Sequence, residues 1–190
     1  MQLIYVFGEP GAGKSTMIRD AIGDLLKTGF KVPHPFRHII FPFNGGLAAY
    51  LGSDNGKEPF PGTDRLSMGV QPAAVRLLKD NELALAGIKT IIAEGDRLGT
   101  ISFFEAAREA GYKIIAIHAK SSRAAQARAE RASQTGQEQS KTWLKGRLTK
   151  VERLAKHCQE TEGITYATIQ ADQKRPRAGR ELLKLLGIKP

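Results

Sequence analysis

An α/β domain built on a parallel sheet with helices on both faces is what this sequence predicts, and three observations carry the prediction. Short apolar runs of strand length alternate along the chain with segments of helical period. A glycine-rich stretch, Gly8-Glu9-Pro10-Gly11-Ala12-Gly13-Lys14-Ser15, separates the first such run from the first such segment. The length, 190 residues, suits one domain with a substantial core, and no repeat or interdomain linker interrupts it.

The elements follow in order. Gln2 to Phe7 is an apolar run rich in β-branched and aromatic residues and bounded by glycine, so it reads as a buried strand. From Ser15 to Lys27 the apolar positions Met17, Ile18, Ala21, Ile22, Leu25 and Leu26 form a helical stripe that stops at Gly29. His38 to Phe43 is a second strand. Residues 44–69 lack periodicity and are rich in glycine, so they read as one long loop of the kind that serves function. A helix is expected over Met68 to Ala86, a strand over Thr90 to Ala93, a helix over Ile101 to Ala110 and a strand over Tyr112 to Ala119. Ser121 to Glu162 is a basic section with helical spacing broken near Ser133 to Ser140. A strand over Ile164 to Ile169 and a helix over Arg180 to Leu186 close the chain, which makes five strands in a single domain, 1–190.

Composition excludes several classes. Hydrophobic residues at 41% and charged residues at 25% are those of a globular chain, which argues against disorder. The single cysteine, Cys158, rules out a disulfide framework and a multi-cysteine zinc site. No run approaches the length of a membrane span and the start lacks signal-peptide features, so no membrane partner and a cytoplasmic setting are expected. The net charge of +10 is uneven. Residues 1–119 hold 13 basic and 12 acidic side chains, whereas residues 120–190 hold 16 and 7. Either the second part is a solvated basic face or its partner is a polyanion or phosphate-rich ligand.

The stretch Gly8 to Ser15 fits G-x-x-x-x-G-K-[ST] and lies in the strand–loop–helix context that this pattern requires. Backbone N–H groups of Gly8, Pro10's neighbours Gly11 and Ala12, and Gly13 turn inward around an anion, and the helix start behind them adds its dipole. Lys14 then reaches the outer phosphates of a nucleoside triphosphate, Ser15 takes a place on Mg²⁺, and Thr16 supports the phosphates. On these residues the chain resembles the P-loop kinase and NTPase superfamily. The resemblance implies ATP and Mg²⁺ as cofactors and a three-layer P-loop NTPase fold with a five-stranded parallel sheet and a helical lid.

Such an enzyme needs a carboxylate at the end of a neighbouring strand. Thr90-Ile91-Ile92-Ala93-Glu94-Gly95-Asp96-Arg97 supplies Glu94 as the metal-side acid, with Asp96 as the alternate and Arg97 as a phosphate or acceptor contact. A plain surface turn is the other reading. In the long loop, Thr63 or Asp64 either caps the following helix or Asp64 accepts the proton of an attacking hydroxyl while Arg65 holds an acceptor phosphate. Asp54 is a weaker candidate for that base.

The basic section carries Arg123, Arg128 and Arg131 before its polar break and Lys141, Lys145, Arg147 and Lys150 after it. Arg128 and Arg131 share one helical face. The resemblance to P-loop kinases implies that residues 121–150 are a lid bringing arginines onto the transferring phosphate; the other reading is an exposed helix with incidental charge. Trp143 among lysines and arginines is either a core residue or a base-stacking platform beside Lys145 and Arg147. Ala171 and Asp172, after the last strand, lie where such kinases touch the nucleotide base.

The combination of these segments with Trp143-Leu144-Lys145-Gly146-Arg147-Leu148-Thr149-Lys150 resembles small kinases of tailed bacteriophages, including those that phosphorylate 5-hydroxymethyluracil in DNA during thymine hypermodification. The resemblance implies γ-phosphate transfer from ATP to a base already in DNA, in the cytoplasm of a host cell. Asp64-Arg65 and Asp96-Arg97 are followed by leucine, unlike the triplet of ordinary thymidylate kinases. A soluble nucleoside monophosphate kinase, thymidylate- or adenylate-kinase-like, and a P-loop ATPase module are the alternatives.

Overall fold

The structure is a computed structural model, and it describes residues 1–54, 61–80, 82–136, 139–172 and 177–187. Seven strands form one sheet in the order β2-β3-β4-β5-β1-β6-β7. They are β1 (Gln2–Phe7), β2 (Phe30–Val32), β3 (His38–Phe43), β4 (Gly46–Leu51), β5 (Ile88–Glu94), β6 (Lys113–Lys120) and β7 (Ile164–Gln170). Five of them, β4, β5, β1, β6 and β7, run parallel, while β3 pairs antiparallel with β4, and β2 with β3.

The sheet thus has seven strands where five parallel ones are expected: the expected strand over His38–Phe43 is antiparallel β3, the fifth parallel strand is β4 inside the expected loop 44–69, and that loop is correspondingly shorter. Its first part is β4, and Thr63–Arg65 is a single 3-10 turn. The connection from β3 to β4 is the dipeptide Asn44-Gly45, with φ of 49° and 69°. Two successive positive φ values make the hairpin turn whose twist matches that of the flanking strands. The strand was hidden because Gly46-Leu47-Ala48-Ala49-Tyr50-Leu51 is buried at its end on both faces and shows no alternation.

The helices are α1 (Lys14–Thr28), α2 (Gln71–Lys79), α3 (Glu82–Leu85), α4 (Ile101–Glu109), α5 (Ala124–Thr135), α6 (Lys141–Glu160) and α7 (Arg177–Leu185). The basic section is two helices because Gly136 ends α5 in the left-handed region and the Ser140 hydroxyl accepts the N–H of Trp143 to start α6. Period-2 alternation in β1 builds the layers. Ile4 and Val6 pack with Met17, Ile18 and Ile22 of α1 and Leu182 of α7. Leu3, Tyr5 and Phe7 pack on the other face with Leu77 of α2, Phe103 and Phe104 of α4, and Leu154 and Cys158 of α6. Among the described residues, no helix is long and apolar enough to cross a membrane.

β1 lies between β5 and β6, so the carboxyl ends of three parallel strands meet where the glycine-rich loop leaves the sheet. Crevices at the carboxyl ends of parallel strands are where ligands bind in open α/β sheets.

Candidate active site

Gly8 leaves β1 with φ 151°, and a Cβ there would lie 2.3 Å from the Ala119 carbonyl oxygen, so the loop can pass β6 this closely only as glycine. The chain then turns through Pro10, Gly11, Ala12 and Gly13, with the Ala12 N–H donating to the Glu9 carbonyl at 3.1 Å. The Lys14 ammonium donates to the carbonyls of Gly8 and Glu9 at 2.9 and 3.0 Å. It therefore spans the loop that it would share with phosphate oxygens.

Behind the loop, the Ser15 hydroxyl donates to Glu94 Oε1 at 2.8 Å, and the Tyr50 hydroxyl to the same oxygen at 3.4 Å. Glu94 ends β5 and is 1% exposed. Burial pushes its carboxyl up to about 7, against the pull of the Lys14 ammonium and with the help of the Asp64 charge. Its other oxygen, Oε2, is buried with no hydrogen-bond partner among the described residues. A buried carboxylate oxygen left without a donor suits a cation or its bound water, so the hydroxyl of Ser15 and the carboxylate of Glu94 fit a hard divalent ion.

A cavity of about 810 Å³ opens from this loop. Gly8, Pro10, Gly11, Gly13, Lys14, Ser15 and Thr16 form one end of it. Asp64, Arg65, Asp96 and Arg97 also line it, and Arg128, Arg131, Trp143 and Arg147 come to it from α5 and α6. Trp143 is 39% exposed, which excludes the core reading of that side chain.

Several of these side chains hold one another. Asp64 Oδ1 accepts the N–H groups of Asp96 and Arg97 at 2.7 and 3.3 Å, so this carboxylate shapes the turn after β5. The Tyr5 hydroxyl supports the same turn by donating to the Gly95 carbonyl at 3.0 Å. Arg147 and Lys150 pair with the Asp96 carboxylate, and the Arg147 guanidinium also lies 5.1 Å from the centre of the Trp143 ring. Arg128 donates to the Glu9 carboxylate at 2.8 Å and to the Pro10 carbonyl at 2.7 Å, which ties α5 to the glycine-rich loop.

Four of the remaining sequence candidates fall elsewhere. Lys145 lines a separate groove on another side of α6. Ala171 packs behind Gly13, where a Cβ on the glycine would meet it at 3.2 Å. The Asp172 carboxylate accepts the N–H and hydroxyl of Ser122 at 2.9 and 2.5 Å, and these bonds with Ser122 hold it below the usual carboxylate range. Asp54 is paired with Arg19 at 2.8 Å rather than open to an acceptor.

Sequence reasoning missed Glu9, Arg19, Arg37, Tyr50 and Met68, each of which lines the cavity or contacts its ligating groups. Arg19 was readable, four residues after Ser15 on the same helical face. Tyr50 is not readable, because its strand shows no alternation and so resembles loop in the sequence.

A family model described as P-loop Nucleotide Kinase3 matches residues 1–174. The chain belongs to that family. Membership in P-loop Nucleotide Kinase3 supports phosphotransferase activity and agrees with the geometry of the loop. The unliganded crystal structure of a sugar kinase from Janibacter sp. HTCC2649 is similar, with a TM-score of 0.54 and 14% identity over 100% of this chain and 96% of that one. That likeness concerns the fold. No curated protein matches the sequence.

Proposed function

We propose that this P-loop Nucleotide Kinase3 member is an ATP- and Mg²⁺-dependent kinase whose acceptor is a hydroxyl on a nucleotide base, that of 5-hydroxymethyluracil in a DNA strand. The observation that carries the reading is the single cavity running from the glycine-rich loop to a cluster of arginines and an exposed tryptophan. A triphosphate tail fits one end, and a phosphate-bearing acceptor with a flat base fits the other.

In this reading Ser15 and Glu94 hold Mg²⁺, which when bound screens charge between the outer phosphates. Lys14 gives up its loop carbonyls for phosphate oxygens and steadies the γ-group. The acceptor hydroxyl oxygen forms a bond to the γ-phosphorus while the bond from that phosphorus to the β–γ bridging oxygen breaks, leaving ADP. The hydroxyl proton passes to the Asp64 carboxylate and on to solvent. Arg128 and Arg131 stabilise charge on the transferring group, and α5 with α6 acts as the lid that keeps water out. Arg65, Arg97 and Arg147 hold the acceptor's phosphate, and Trp143 stacks on its base.

Hydroxymethyluracil DNA is favoured over a free acceptor by the excess of basic residues in 120–190, since a polynucleotide needs several cationic contacts. A free nucleoside monophosphate is the second reading, and the nucleotide-kinase family supports it. ATP labelled at the γ-phosphate, offered with Mg²⁺ to hydroxymethyluracil DNA and to nucleoside monophosphates in parallel, separates the two. Label on DNA is expected. Label on a free nucleotide alone decides for the second reading, and inorganic phosphate alone for an ATPase. Asp64→Asn keeps an oxygen for the two N–H groups that Asp64 holds, so the turn survives. This variant is expected to lose transfer to an alcohol by about 10²-fold or more while MgATP still binds.

A further inference from the structure

Helix α6 turns two stripes toward two different spaces. Trp143, Arg147 and Val151 face the cavity of the glycine-rich loop. Thr142, Lys145, Thr149 and Arg153, roughly 155° round the helix, line a groove of about 850 Å³ against Gly99, Thr100 and Ile101 at the start of α4. The two spaces adjoin. Arg97 lines one and Gly99 the other, and Lys150 in the groove donates to the carbonyl of Asp96 in the cavity wall at 2.6 Å.

Three features of the groove ask for a partner. Lys145 and Arg153 have no ion-pair partner among the described residues, and no carboxylate lines the groove there. Ile101 on its floor is 41% exposed. Gly146 sits in the second turn of a 20-residue helix, yet a Cβ added to it would meet nothing within 4 Å. A glycine inside a helix is unfavourable, and no packing among the described residues calls for one here. Its bare backbone suits the close approach of something from outside the chain.

We propose that this groove holds the sugar-phosphate backbone of the DNA strand next to the acceptor base. Lys145 and Arg153 take flanking phosphates, Ile101 lies under a deoxyribose, and the strand crosses α6 at Gly146. The two cations stand about 12 Å apart along the helix, which suits a stretch of backbone rather than one phosphate. Because the groove adjoins the cavity at Arg97 and Gly99, a base in the cavity leaves its own strand in position to enter it. The proposal rests on the reading that the acceptor is in DNA, and it adds where the rest of the strand lies.

The test measures binding of a fluorescein-labelled single-stranded oligonucleotide containing 5-hydroxymethyluracil, with the mononucleotide alongside, by wild type, Arg153→Glu and Gly146→Gln over a salt series. Wild type is expected to bind the oligonucleotide far more tightly than the mononucleotide. Arg153→Glu is expected to weaken the oligonucleotide about tenfold and to flatten the slope of log affinity on log salt by about 0.7, with MgATP affinity unchanged. Gly146→Gln places a side chain in the strand's path and is expected to weaken the oligonucleotide while its melting temperature equals or exceeds that of wild type, so misfolding cannot account for the loss. If both variants bind the oligonucleotide as wild type does, the groove proposal is overturned and the DNA reading stands. If wild type itself prefers the mononucleotide, the DNA reading fails and the groove proposal fails with it.

Discussion

Glu94 shows how one residue can work against the fold that holds it. Its carboxyl is raised from 4.5 to about 7, chiefly by burial. Between those values the native state keeps a proton that the unfolded chain has released, so this group lowers stability as pH rises through the window. Above it the full penalty applies, on the order of 3 kcal/mol. Glu94→Gln keeps an oxygen for Ser15 and Tyr50 but carries no charge. The variant should be more stable than wild type by about that amount above pH of about 8, and no more stable below pH of about 4. Urea midpoints at the two pH values check this. If Glu94 is the proposed metal-side acid, the same variant should lose phosphotransfer even as it gains stability.

At the scale of elements, the β3–β4 hairpin and the α5 helix lie at opposite extremes. The hairpin is locked by its turn, and the Asn44 side chain also donates to the Leu186 carbonyl at 3.0 Å, joining it to the end of α7. Asn44→Ala should cost about 1–2 kcal/mol, from the left-handed backbone and the lost hydrogen bond. Asn44→Gly should cost less, and the two unfolding midpoints compared side by side test whether the turn is what matters. Helix α5, by contrast, buries Ala124 and no other of its described side chains. An element held by so little apolar contact opens at low free energy. Its tie to the glycine-rich loop is Arg128 on Glu9 and Pro10. Arg128→Ala should therefore speed hydrogen exchange of the α5 amides and lower kcat by on the order of 10²–10³.

For the whole molecule, the charge asymmetry and the cavity set the expected linkages. Under the proposed function, MgATP would bind the folded chain and not the unfolded one, so at a concentration 100 times its Kd it should add about 2.7 kcal/mol of stability. Thermal melts with and without MgATP measure this, and Lys14→Ala should remove the shift. Under the proposed DNA acceptor, affinity for DNA should fall steeply with salt, because the basic excess of 120–190 would act through phosphate contacts.

The glycine-rich loop, the strand that feeds it and the acid at the end of β5 were legible in the sequence, because each is a local pattern whose chemistry depends on neighbouring residues. The same holds for the two basic helices, whose ends are set by Gly136 and Ser140. What the tertiary structure alone decided is which side chains meet across the sheet. Tyr50 reaches Glu94 from β4, Asp64 holds the turn after β5 from 32 positions away, and Arg128 reaches Glu9 across 119. Such contacts depend on strand order and on which helical stripe faces which wall. No local periodicity encodes these, since burial on both faces erases the alternation that would mark a strand, and a stripe of arginines reads alike whether it faces a cavity or water.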